Sequence, residues 1–153
     1  MCADQYHRYK EDIALMAEMG FKTYRFSIAW TRILPNGTGE VNPKGIEYYN
    51  NVINECLKYG IEPLVTMFHF DMPAALDERG SWGNPESVDW FVNFAKVMYE
   101  NFGDRVKYWL TINEQNYADF SWTGNWYITL AGRMHKRNQR NLSAKPSYAG
   151  STS

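Results

Sequence analysis

"MGFKTYRFSIAW", residues 19–30, leaves a helical period at a glycine and continues as a β-branched and aromatic run. The phrase returns as "YGIEPLVTMFHF", residues 59–70, and as "FGDRVKYWLTIN", residues 102–113, so that Gly20, Gly60 and Gly103 are spaced 40 and 43 residues apart. Each glycine stands where a helix would end in a left-handed cap, and each run after it has strand composition. The segments before the glycines have helical period. Asn42 followed by Pro43 reads as an N-cap with proline at the first helical position, and Ile46, Tyr49, Ile53, Cys56 and Leu57 continue from it as one apolar stripe. Asn84 and Pro85 repeat the device ahead of Val88, Phe91, Val92, Ala95, Met98 and Phe102, while Tyr9, Ile13, Met16 and Met19 mark a helix before the first run.

Helix and strand alternating three times, with short glycine turns, predict parallel strands under helices. A doubly wound sheet and a (β/α)8 barrel both satisfy this. No glycine-rich phosphate loop follows any strand, which weakens the nucleotide-binding version. The strand tips instead carry polar and aromatic groups: Trp30 and Arg32, His69 and Asp71, Asn113 and Glu114. Functional groups gathered at the carboxyl ends of several parallel strands are the habit of the barrel, of whose eight units three are visible.

A chain of 153 residues with 44% hydrophobic and 22% charged residues is long enough for one domain with a core. A net charge of −1 argues against nucleic acid or an anionic membrane as a partner of the whole protein. Cys2 and Cys56 form neither a disulfide framework nor a metal spacing. The opening "MCADQYHRYKED" has no apolar leader core, and no run reaches the roughly 18 apolar residues of a membrane span, so a cytoplasmic location is expected. Past Asp119 the character changes: residues 120–153 hold five basic residues and no acidic ones, which leaves residues 1–119 with a net of −6. The expected organisation is a domain over 1–119 and an irregular, disordered basic tail over 120–153.

Glu114 sits directly after a run that reads as a buried strand. A carboxylic acid can donate a proton near pH 7 if burial or a second carboxylate raises its pKa, and Trp109, Trp122 and Trp126 offer the burial. Its bland reading is a glutamate at a helix N-terminus. Asn113 supplies an amide able to bind a hydroxyl. By alternation His69 shares a strand face with Val65 and Met67; with Asp71 it makes half a metal site at most, since His7 and His135 lie in unrelated contexts. Asp71 ahead of Pro73 reads as a cap for the turn that follows. Arg25 shares a face with Ser27 and Ala29; an inward guanidinium there would need an acidic partner, otherwise it is a surface arginine, and alternation does not choose between the two.

The segments "YHRYKEDIALMAEMGFKTYRFSIAWTRILPNG", "HFDMP" and "YWLTINEQN" together resemble glycoside hydrolase family one, the retaining β-glucosidases and 6-phospho-β-glucosidases, from about Tyr6 to Tyr117. The resemblance implies a (β/α)8 barrel of which strands two to four are present. It makes Glu114 the general acid and base, gives Asn113 and His69 hydroxyls of the bound sugar, and sets Arg25 beside the nucleophile. It implies no metal and no organic cofactor. The family's nucleophile, a glutamate in a Thr-Glu-Asn-Gly motif, has no match among these residues, nor has the family's first strand. Phe70, where the family usually has tryptophan, leans towards the bacterial branch acting on phosphorylated glucosides.

The resulting expectation is a truncated retaining β-glycosidase, inactive alone, with self-association through uncovered barrel edges. The competing reading is a non-catalytic barrel remnant or carbohydrate-interaction module. An aldolase would want a Schiff-base lysine at a strand tip, and none is there.

Overall fold

The computed structural model describes residues 4–114. Within them the chain runs α1 (Gln5–Glu18), β1 (Thr23–Ser27), α2 (Trp30–Ile33), α3 (Pro43–Lys58), β2 (Glu62–Phe68), α4 (Ala74–Asp77), a 3-10 turn (Ser81–Gly83), α5 (Ser87–Phe102) and β3 (Tyr108–Ile112). The three strands form one parallel sheet in the order β1-β2-β3. This is the partial (β/α)8 barrel expected from the sequence. The basic segment 120–153, Cys2, His135, Trp122 and Trp126 lie outside the described residues.

Register places Phe26, Val65 and Trp109 side by side in one row, and Arg25, Leu64 and Tyr108 in the next. Side chains alternate between faces along a strand, so the two rows point to opposite sides. The first side carries the core. Val65 and Met67 are fully buried there with Ile53 and Cys56 of α3 and Phe94 and Met98 of α5. At its upper end the Trp30 ring stacks on Phe94 with centroids 4.6 Å apart, and the indole Nε1 donates to the Gly37 carbonyl at 2.9 Å.

The helix signals are met in part. Asn42 caps α3 by accepting from the Lys44 amide at 3.2 Å, with Pro43 at the first helical position. Asn84 accepts from the Glu86 amide in the same way, but regular helix begins only at Ser87. Gly20 and Gly60 adopt the left-handed conformation expected of them; Gly103 does not, with φ −66. Gly103 is required on different grounds, because a Cβ there would come within 2.5 Å of the Tyr99 carbonyl oxygen.

The buried stripe of α5 is also displaced from the expected one. It runs through Trp90, Phe94, Met98 and Phe102, while Val88 and Val92 are exposed. So much of this helix is apolar that periodicity fits more than one face. The stripe that wins is the one whose aromatics meet Trp30 and Tyr49.

Candidate active site

The carboxyl ends of β2 and β3 lie side by side, because the Asn113 amide donates to the Phe68 carbonyl at 2.9 Å one residue beyond β3. His69 follows Phe68 at this end, and Glu114 is the next residue in the chain after Asn113. His69 does not continue the buried face of Val65 and Met67. It lies past the last strand residue and is exposed. Alternation stops there because Phe70 turns the backbone with φ 63.

Arg25 ties the sheet together on the side opposite the helices. From β1 its side chain crosses β2, where Nε donates to the Thr66 hydroxyl at 3.0 Å, and its Nη2 donates to the Asn113 side-chain carbonyl. Thr66, on the face that no described helix covers, is fully buried, and Asn113 is 7% exposed. The acidic partner expected for Arg25 is absent among the described residues, and two neutral oxygens take its place. Arg25 itself is exposed, so water reaches the guanidinium and an acidic partner is not required; its directed donors still serve both oxygens. Asn113 oriented by Arg25 keeps its two Nδ2 protons, which have no partner among the described residues. They are donors available to a hydroxyl.

Glu114 has φ 45 and is exposed. The burial expected from Trp109 does not occur. That indole turns to the helix side, packs edge-on against Tyr99 at 5.0 Å and donates from Nε1 to the Val106 carbonyl at 3.0 Å.

Asp71 also departs from its expected role. It does not cap the turn after it, since α4 begins after Pro73 with no side-chain cap. Its carboxylate instead accepts from the Trp30 amide at 2.8 Å and the His69 amide at 3.2 Å. Sequence reasoning missed this, because the Trp30 partner is 41 residues away and nothing in the local pattern points to it. Among the described residues no group of three or more histidine, cysteine or carboxylate side chains is placed to hold a metal ion.

The model for Glycosyl hydrolase family 1 matches residues 1–144. The chain belongs to that family. The match extends past Tyr117, where the sequence motifs alone had stopped.

Among its relatives a coniferin β-glucosidase from Pinus contorta is 56% identical over 117 residues, 76% of this chain and 23% of the relative. An aryl-phospho-β-D-glucosidase from Bacillus subtilis is 50% identical over 118 residues, 76% of this chain and 25% of the relative. The solved family 1 β-glucosidase from Thermotoga maritima superposes with a TM-score of 0.76 at 51% identity, covering 77% of this chain and 27% of that one. The chain thus spans about a quarter of the length of the relatives it matches.

Proposed function

We propose that this chain carries the acid/base half of a retaining β-glucosidase site. Glu114 protonates the glycosidic oxygen as the bond to the leaving group breaks, then deprotonates the water that releases the glycosyl group from a nucleophilic carboxylate. Asn113 and His69 hold hydroxyls of the same sugar, and Arg25 supports Asn113. The observation that supports this reading is the Arg25–Asn113 hydrogen bond, which fixes the side-chain amide of the residue next to Glu114 in a family 1 member.

The substrate is a β-glucoside. Phe70 favours the 6-phosphorylated form, and relatives named for phosphorylated and for free glucosides are both close. Sugar chemistry of this kind uses carboxylates alone and calls for no cofactor.

The pure 153-residue chain is expected to show no turnover of 4-nitrophenyl β-glucoside or its 6-phosphate. A retaining mechanism needs a second carboxyl about 5–5.5 Å from the first, and the acids of the neighbouring β2 loop, Asp71, Asp77 and Glu78, have other placements. Asp71 is held by two amides, and Asp77 and Glu78 lie in and after the short α4. Hydrolysis abolished by Glu114→Gln would overturn that expectation and place the second acid within these residues; hydrolysis untouched by the change would point to a contaminating enzyme. The absence of a Thr-Glu-Asn-Gly motif favours a second reading for the isolated chain, a carbohydrate-binding remnant. Glucose-induced shifts at Asn113 and His69 without turnover would identify it.

A further inference from the structure

At the exit of β1 three consecutive amides are each taken by a different element. Ile28 donates to the Thr66 carbonyl at 3.1 Å, Ala29 to the Tyr49 hydroxyl at 2.7 Å and Trp30 to Asp71 Oδ2 at 2.8 Å. The third acceptor differs from the others in being a carboxylate, supplied by the turn after β2. Its second oxygen, Oδ1, accepts from the His69 amide at 3.2 Å. Between the two residues lies Phe70 at φ 63, in the left-handed region where an aromatic side chain is unfavourable. No glycine relieves this turn. A strained residue persists only when its surroundings over-determine it, and such residues gather at binding sites. Here the over-determination is visible: charge-assisted bonds fix the carboxylate at both ends, and the Phe70 ring rests against Phe68 at 6.4 Å and the His69 ring at 5.6 Å.

We propose that Asp71 is a positioning residue: by bridging the Trp30 and His69 amides it holds Phe70 left-handed and so sets where the His69 imidazole stands at the open end of the sheet. This rests on the reading of His69 as a sugar-binding group. It adds that the ring's placement depends on a carboxylate that touches neither substrate nor leaving group. If Asp71 were only a cap for the first amide of α2, its removal would leave the conformation of Phe70 and the His69 ring unchanged.

The test uses the full chain labelled with nitrogen-15, as wild type, Asp71→Asn, Asp71→Ala, Phe70→Gly and the double variant Phe70→Gly/Asp71→Ala. Amide hydrogen exchange at His69 and Trp30 should quicken roughly ten-fold or more in Asp71→Ala. Ile28 and Asn113, bonded to strand carbonyls, should stay within about two-fold. The His69 ring protons should lose the shift imposed by the Phe70 ring. Asp71→Asn keeps one acceptor oxygen and should fall between; it provides the same readouts at lower amplitude should Asp71→Ala fail to fold. Glycine has no left-handed penalty, so Phe70→Gly should be more favourable in the wild-type background than in Asp71→Ala, by about five-fold in the folding constant. Unchanged His69 exchange and ring shifts would overturn the proposal. So would Ile28 and Asn113 loosening as much as His69, or an equal effect of Phe70→Gly in both backgrounds. None of these readouts involves sugar or turnover, so their failure leaves the assignment of Glu114 standing, and a failure of that assignment leaves these readouts intact.

Discussion

On one side of the sheet Phe26, Val65 and Trp109 stand in a row that joins the core; on the other Arg25, Leu64 and Tyr108 occupy the adjacent row, and Tyr108 is 59% exposed. The strands are the same and the residue types differ accordingly. The helix side is held by close packing, in which each apolar group contributes through area removed from water and through contact with its neighbours. The open side carries one guanidinium that reaches from β1 across β2 to the residue just after β3. A packed face resists any change of volume, whereas a hydrogen-bonded face exposed to water can exchange partners at small cost.

The largest effect should therefore come from the packed side. Phe94→Ala removes the ring stacked on Trp30 at 4.6 Å, both rings being fully buried. A loss of about 3–5 kcal/mol in unfolding free energy is expected from chemical denaturation. A loss below about 1 kcal/mol would mean that the helix side is loosely packed and the contrast between the faces unreal.

Alkaline pH attacks the same side more gently. Burial on the core-facing side of α3 raises the Cys56 thiol from an ordinary 9.0 to about 11. The folded state holds this proton more tightly than the unfolded chain, so the contribution is fully present below pH 9 and is lost as pH rises through about 11. The fall should reach at most about 2–3 kcal/mol. Burial also raises Tyr24, Tyr48 and Tyr49 from 10.0, so their share begins later. Stability that stays flat from pH 9 to 10, or an identical slope in Cys56→Ala, would show that the thiol is not sealed from water.

How much of this was legible in the sequence follows the same division. The glycine-punctuated repeat yields strand and helix order because local signals, such as Asn42 before Pro43, act within one turn. The parallel pairing follows from that order by chain geometry. The stripe of α5 was misread because a helix containing Val88, Phe91, Val92, Phe94, Ala95 and Met98 offers several apolar faces, and only its partners choose between them. Glu114, Asn113 and His69 are legible as candidates because each follows a strand run. The partners of Arg25 and Asp71 are not, since those bonds join residues 41 and 88 positions apart. Long-range polar pairing has no period for a sequence to display.

Arg25 offers a middle-sized effect that belongs to the open side. Arg25→Ala leaves the Thr66 hydroxyl and the Asn113 carbonyl without their donor, but water reaches both sites once the side chain is gone. The expected loss is about 1 kcal/mol, with wider changes in the chemical shifts of Asn113 than of Val65. Arg25→Lys should recover less than half, because an ammonium cannot serve the two acceptors in the geometry of a guanidinium fork. Full recovery by lysine would show that charge alone, and not the directed bridge, holds Asn113.

The smallest effect should come from Leu110, which stands in register with Thr66 on the open face of the edge strand and is 38% exposed. Leu110→Gln removes little buried area, so unfolding free energy should change by no more than about 0.5 kcal/mol. The matching change at Met67, fully buried on the opposite side, places an amide in the core without a partner and should cost several times as much. Association is where Leu110 should matter. Among the described residues β3 has one unpaired edge, and with Tyr108 it presents apolar side chains beside unpaired backbone groups, the combination that recruits a second strand. Sedimentation velocity of the wild-type chain should show concentration-dependent dimers or larger species, reduced by Leu110→Gln without a shift in the denaturation midpoint. If the variant associates as strongly as wild type, the exposed face of β3 is not the contact. A Leu110→Gln penalty equal to that at Met67 would erase the difference between the two faces, because the side regarded as open would then have to be packed.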